Sequence, residues 1–302
     1  MGKGHPARPA GGGRPRVYDC FLFFRELDLL EIRLGELDPV VDTFVLVEAR
    51  RDFAGNEKPL VYKANRSRFA AFAHKIRHVE VLDEPGDAGR RWIRQGHQRR
   101  AILDGLHDAR PDDLVIVSDV DEIPAAERVA EANADPRPNA VHFFNQPLHR
   151  FYLDVRDSGG TRWIGSRAVR ARRMIDPTRL RKLKPVNYPR APRAYEALYW
   201  AYRSVAEFGA LTTRVLHRDA GWHFSSLGDV DYLMAKDAAI SFDEQNQVSN
   251  APRAYWESAR AELLMPLGRA ERLDIAHDLP RPVRENPERF AHLLSPGMSE
   301  DG

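Results

Sequence analysis

Four consecutive apolar residues, Leu114, Val115, Ile116 and Val117, run into the acids Asp119, Asp121 and Glu122 and stop at Pro124. Three of the four are β-branched, and polar residues bound the run. It reads as a strand covered on both faces, the condition of a central strand in a mostly parallel sheet. Ligands of such sheets sit at the carboxyl ends of the strands. If the backbone stays extended through LVIVSDVDEIP, Asp119 and Asp121 face one way and Val120 turns back into protein. Carboxylates that close repel each other unless a proton or a cation sits between them, and a hard divalent ion is the natural partner. The same acids would suit a helix opening at Pro124, where carboxylates meet the positive end of the dipole. With 44 acidic residues in the chain, the motif alone does not choose between these readings.

The flanking sequence supplies the rest of a sheet. VYDCFLFF (17–24), TFVLVEA (43–49) and KIRHVEVL (75–82) read as strands. Between them LDLLEIRLGEL places Leu29, Leu30, Ile32, Leu34 and Leu37 at helical spacing, and SRFAAFAHK makes one or two helical turns. RRWIRQGHQRRAILDGL (90–106) predicts a helix packed ahead of the Leu114 strand. Strands alternating with helices argue an α/β fold, a Rossmann-type parallel or mixed sheet flanked by helices, with right-handed crossovers. Beyond Asn139 the texture is short, aromatic and β-like in AVHFFNQ, RFYLDVR, RWIGSRAVRAR and GWHFSSLG. This predicts a strand-rich C-terminal half that caps the sheet's carboxyl edge. VDYLMAKDAAISF returns to helix, and ERLDIAHDLPRPVRENPERF reads as an extended tail ending in a short helix. The organisation expected is a flexible tail over 1–16, one domain over 17–270 with halves at 17–125 and 139–245, and an extension over 271–302.

Composition narrows the function. The single cysteine, Cys20, rules out an internal disulfide framework and fits a packed strand position in a reducing compartment. No apolar run reaches the length of a membrane span, and the basic opening residues precede no apolar signal segment. GGGRPR comes before the first strand, where its glycines cannot cradle a pyrophosphate at a helix start, which weakens kinase and dehydrogenase readings. A nucleotide diphosphate would then be held by metal and arginine. Net charge is only +2, yet Gln146 to Arg218 carries 16 Lys plus Arg against 5 Asp plus Glu. That field suits an anionic ligand; without a recognisable nucleic-acid motif, no nucleic acid is expected as partner.

Five blocks, VYDCFLFFRELDLLEIRLGELDPVVDTFVLVEA, FAGNEKPLVYKANRSRF, QRRAILDGL, VIVSDVDEIP and GWHFSSLG, occur in this order from Val17 onward. In order and spacing the chain resembles glycosyltransferase family 17, the β-1,4-mannosyl-glycoprotein N-acetylglucosaminyltransferase-like group. The resemblance implies a GT-A-like fold, a UDP-sugar donor with N-acetylglucosamine as its sugar, inversion at the anomeric carbon, and SDVDEIP as a metal-binding DXD motif. It places Asp119, Asp121 and His223 on Mn²⁺ or Mg²⁺, which would stabilise the diphosphate leaving group. Asp119 would act through water or on the donor ribose. Phe23, Glu48, Gln98, Arg99, Asp119 and Trp222 are the expected donor contacts. Arg99 would clamp phosphate oxygens or reach the base, and Trp222 would stack on a sugar face or fill core. Trp222 and His223 are neighbours in a strand and face opposite ways. An inverting transfer needs a general base for the acceptor hydroxyl, and Asp229 and Glu244 are the candidates. The chain departs from the family near Gln95 and at Arg100, which bears on the donor contacts while leaving Gln98 and Arg99 matched, and near Glu244, which bears on the acceptor end.

Two other classes fit parts of the pattern. An apolar strand ending in Asp-x-Asp is also the nucleophile pattern of haloacid-dehalogenase-like phosphatases and phosphotransferases, although there it lies on the first strand. A sugar-binding module of the same fold without turnover is the non-enzymatic alternative. The Arg-rich and Ala-rich composition suggests a bacterial cytoplasmic enzyme, soluble or peripheral to the membrane, acting on a glycan or glycolipid acceptor.

Overall fold

The apolar runs become the strands of a seven-stranded sheet. The computed structural model describes residues 14–83, 85, 91–159, 163–185, 192–239, 251–266 and 268–296. In its first half β1 (Val17–Phe23), α1 (Leu27–Leu37), β2 (Thr43–Ala49), α2 (Val61–Ala64), β3 (Ile76–Val81), α3 (Arg91–Arg100) and β4 (Leu114–Asp119) follow in turn. Arg66–Phe72 and Ala101–Leu106 are 3-10 stretches. Next come β5 (Glu122–Pro124), α4 (Ala126–Ala134), β6 (Ala140–Gln146), β7 (Leu148–Phe151), β8 (Val155–Asp157) and β9 (Trp163–Arg170). They are followed by α5 (Pro177–Lys182), α6 (Arg193–Phe208), β10 (Thr213–His217), β11 (Gly221–Leu227) and α7 (Val230–Ala239). Finally α8 (Arg253–Ala261), β12 (Ala270–Arg272), α9 (Ile275–Asp278), α10 (Arg281–Glu285) and a 3-10 stretch at Pro287–Leu293 close the described chain.

The large sheet has the order β10-β6-β9-β4-β1-β2-β3. Pairs β1–β2, β1–β4, β2–β3 and β6–β10 are parallel, and β9 alone runs antiparallel to both its neighbours, β4 and β6. This is the α/β mixed sheet expected from the sequence. Alternation along β1 explains why the strands are apolar throughout: Val17, Phe21 and Phe23 pack on the face of α1. Tyr18, Cys20 and Leu22 pack on the opposite face with Ile102 and Trp200. Both faces are therefore core, and Cys20 is a free, buried thiol.

A five-stranded sheet of order β12-β8-β7-β11-β5 makes up the strand-rich second half. β5 pairs antiparallel with β11, setting Ile123 opposite Trp222 and Glu122 opposite His223. Gly221 is required at this crossing: its φ is +120°, and a Cβ there would lie 2.1 Å from the Ile123 carbonyl oxygen.

Three sequence expectations are corrected. The acids after β4 do not open a helix at Pro124, because Pro124 lies in β5 and α4 begins at Ala126. RFYLDVR is two short strands separated by a turn. The segment from Glu271 is not an extended tail: β12 joins the small sheet, and Leu279, Val283, Phe290 and Leu293 are buried with Leu29, Ile32, Ile123 and Phe224.

Candidate active site

The turn after β4 is held from beneath by an arginine with no exposed surface. Arg33 binds Asp19 through two hydrogen bonds of 2.6 and 2.7 Å, and donates to the carbonyls of Asp119 at 3.1 Å and Glu122 at 2.8 Å. A buried guanidinium needs such full pairing, since neither charge of the pair reaches water. Glu122 folds back above it, its carboxylate accepting from the Asp119 backbone N–H at 2.9 Å and the Trp163 indole N–H at 2.8 Å. Asp119 and Asp121 both line one cavity, but not by the alternation of an extended strand: the chain turns at Val120 and Asp121, and Val120, buried against the core, lines the cavity as well.

Each carboxylate of the motif has a cationic partner from a distant element. Arg99 on α3 reaches Asp119 at 3.0 Å, and Arg181 on α5 reaches Asp119 and Glu122, both at 2.9 Å. Burial opposes the charge on Asp119, but Arg181 and Arg99 outweigh it and hold its carboxyl below the usual carboxylate range. Lys236 on α7 lies 2.8 Å from Asp121 and 3.8 Å from Glu26. Burial opposes the charge on Lys236 too, and Asp121 prevails, keeping the ammonium protonated well above the ordinary lysine range.

The cavity has a volume of about 540 Å³. Phe23, Glu26, Lys58, Gln98, Trp163 and His223 line it together with Asp119, Asp121 and Lys236. Trp163 stacks on His223 with ring centroids 4.7 Å apart. Burial lowers the His223 pKa and favours the neutral imidazole, and its buried Nδ1 has no hydrogen-bond partner among the described residues.

Of the residues singled out from sequence, Phe23, Gln98, Asp119, Asp121 and His223 meet in the cavity, with Arg99 behind Asp119. Three others are committed elsewhere. Glu48 is fully buried, accepting from the backbone N–H of Tyr62 at 2.9 Å and of Lys63 at 3.3 Å at the start of α2, and facing His78 at 3.1 Å. Trp222 points away from His223, packs with the C-terminal cluster, and donates its indole N–H to the Asp278 carbonyl at 2.7 Å. Asp229 caps α7 by accepting from the Tyr232 backbone N–H at 2.8 Å. Glu244 lies outside the described residues. Sequence reasoning missed Lys236, Arg181 and Trp163; the basic count over 146–218 pointed to the region of Arg181 without selecting it.

The donor set suits a hard divalent ion in a particular way. Among the described residues no three His, Cys, Asp or Glu side chains stand close enough to hold an ion by themselves. Two carboxylates, the unpartnered His223 nitrogen and a cavity open to a phosphorylated ligand nevertheless match the mode in which one or two carboxylates share an ion with substrate phosphates.

A doubly wound sheet that ends in paired carboxylates beneath a cavity is the frame of a small-molecule-binding α/β protein. The glycosyltransferase family 17 profile matches residues 5–153. That stretch is just under half of the chain. Relatives from Rattus norvegicus and Homo sapiens, each named β-1,4-mannosyl-glycoprotein 4-β-N-acetylglucosaminyltransferase, are both 36% identical over 122 residues. The one from Mus musculus, of the same name, is 35% identical over 122 residues. The match covers 38% of this chain and 22 to 23% of theirs, so it spans less than a quarter of the curated relatives' length. Solved structures resemble the chain only distantly. A 4-diphosphocytidyl-2C-methyl-D-erythritol synthase is 13% identical, with TM-score 0.37, covering 78% of this chain and 96% of its own. The galactosyltransferase LgtC in complex with donor and acceptor sugar analogues is 11% identical, with TM-score 0.30, over 94% and 98%. The glycosyltransferase GlyE of Streptococcus pneumoniae TIGR4 is 12% identical, with TM-score 0.32, over 96% and 66%. At such scores the strand order, and not these likenesses, carries the fold. Among the described residues no helix is long and apolar enough to cross a membrane.

Proposed function

We propose that the chain is a metal-dependent inverting glycosyltransferase that moves N-acetylglucosamine from a UDP-sugar to a glycan or glycolipid acceptor, with Mn²⁺ or Mg²⁺ as its ion. The observation that carries this reading is the pair Asp119 and Asp121 at the carboxyl end of a parallel strand, both lining a cavity of about 540 Å³. That volume is of the size that small-molecule sites use. When the glycosidic bond breaks, the departing diphosphate gains negative charge, and Lys236 and Lys58 on the cavity wall face it. A bound ion would act there as a Lewis acid. Asp121 is the proposed direct ligand, with His223 beside it. Asp119, fixed by Arg99 and Arg181, is placed for the ribose or an ion-bound water. Phe23 and Gln98 are proposed donor contacts, and Trp163, 42% exposed above His223, offers a ring face to a sugar. Glu26 and Asp52 line the cavity and replace Asp229 as candidates for the acceptor's base; Glu244 stays a candidate on sequence alone. A cytoplasmic place of action rests likewise on composition.

Calorimetry with UDP-N-acetylglucosamine, with and without Mn²⁺, tests the reading on wild type and Asp121→Ala. Binding should require the ion and weaken at least about tenfold in the variant. Absence of heat with any nucleotide sugar, ion present, would overturn it.

A further inference from the structure

Helix α6 has its apolar residues on both sides. Trp200, Ser204 and Phe208, four residues apart, face the core and are buried. On the far side Leu198, Tyr202 and Val205 form a second stripe, exposed by 72, 70 and 54%. Tyr195, 47% exposed, and alanines 194 and 206 continue this surface, while Glu196, Arg203 and Glu207 lie at its flanks and Arg193 at the start of the helix. Leu211, in the turn that follows, adds a side chain 63% exposed. A surface helix ordinarily presents polar residues to water, and a contiguous apolar face of this kind marks an interaction surface.

The charges around it select the partner. Arg179, Lys182, Lys184 and Arg193 are exposed. Lys182 also stands 5.9 Å from the ring of Trp92, itself 54% exposed on α3. Among the described residues from Ile175 to Arg218 no acid is exposed. Asp176, Glu196 and Glu207 are half-buried and paired with Arg100 at 3.2 Å, Arg214 at 3.6 Å and Arg203 at 3.0 Å. Arg179 on α5 stands 3.7 Å from Glu207 on α6, which sets α5 beside the helix.

We infer that α6 and the lysines beside it form a face that docks on an anionic lipid membrane. An apolar stripe with aromatic residues, rimmed by exposed cations, is the composition of a helix lying in the lipid headgroup region. A second copy of the chain fits less well, because a twofold contact would set this cationic rim against itself. The inference does not rest on the chemistry of the cavity. It has a geometric consequence for it, since Arg181, which binds Asp119 and Glu122, is the residue next to Lys182 on α5.

Sedimentation of the full chain with phosphatidylcholine vesicles, with and without about one third phosphatidylglycerol, tests the face. Two double variants accompany wild type: Leu198→Ser with Tyr202→Ser, and Lys182→Gln with Lys184→Gln. Circular dichroism verifies that both are folded. The expected result is binding to the anionic vesicles only, weakened at least tenfold by the serine pair and about fivefold for each lysine removed. No binding to anionic vesicles at low salt would overturn the inference. So would binding that neither folded double variant weakens, or a concentration-dependent dimer in light scattering that the serine pair abolishes.

Discussion

His149, on β7, is a residue whose charge is decided by its surroundings. It is almost wholly buried, its Nδ1 donates to the Leu153 carbonyl at 2.7 Å, and its ring meets Phe224 edge-on. Burial lowers its pKa from 6.5 to about 4, so the ring is neutral in the folded protein at pH 7. Between about pH 6.5 and 4 the unfolded chain binds a proton that the folded chain refuses, so stability falls as pH falls across that window. At pH 5 the loss from this residue amounts to about 2 kcal/mol. Urea unfolding at pH 7 and pH 5 measures it: the drop between the two should be smaller by that amount in His149→Gln. An unchanged drop would mean that this histidine is already protonated or solvated when folded. Legibility at this scale divides cleanly. Asp119 and Asp121 could be chosen from sequence because they follow directly on a buried apolar strand, although the chain turns between them where an extended backbone was expected. Arg181 and Lys236, which neutralise them, come from 62 and 115 residues further along, where only the folded chain shows the proximity.

Among the elements, β1, β2 and β4 were readable because strands covered on both faces need continuous apolar sequence, whereas β3, at the sheet edge and half-buried, showed as a shorter run of more polar character. The second sheet was harder. β5 and β8 are each three residues long, too short for a periodic signal, and both owe their place to partners. Glu48 and Trp222 show the same limit: their neighbours in space, the start of α2 and the C-terminal cluster, take the roles that a strand end or an aromatic residue suggests for a ligand. Gly221 lies where β11 crosses β5 within the small sheet, and Gly221→Ala should be costly in two ways. The left-handed φ is unfavourable for alanine, and the new methyl would meet backbone atoms that have no rotamer to change. A loss of about 3 kcal/mol is expected in thermal unfolding, together with weaker nucleotide binding, because His223 lies two residues away on the same strand. Full stability in the variant would show that β5 and β11 can separate at no cost.

For the whole molecule, the C-terminal segment matters as much as the sheet. Phe290 is 2% exposed, in a cluster that also holds Leu29, Ile32, Ile123 and Phe224. Phe290→Ala should therefore cost about 3–5 kcal/mol in denaturant unfolding, the range of a core aromatic rather than of a loose extension. A change below about 0.5 kcal/mol would place this segment outside the cooperative unit. The pairing of β5 with β11 has one more consequence, which concerns the order of assembly. During synthesis, β5 leaves the ribosome before its partner strand has been made, and the intervening chain takes roughly 5–20 s to translate at ordinary speeds. Through that interval the Asp119–Glu122 turn has neither the strand that covers it nor the lysine that neutralises it. The cavity, which takes His223 from β11 and Lys236 from α7, is therefore among the last features of the molecule to form.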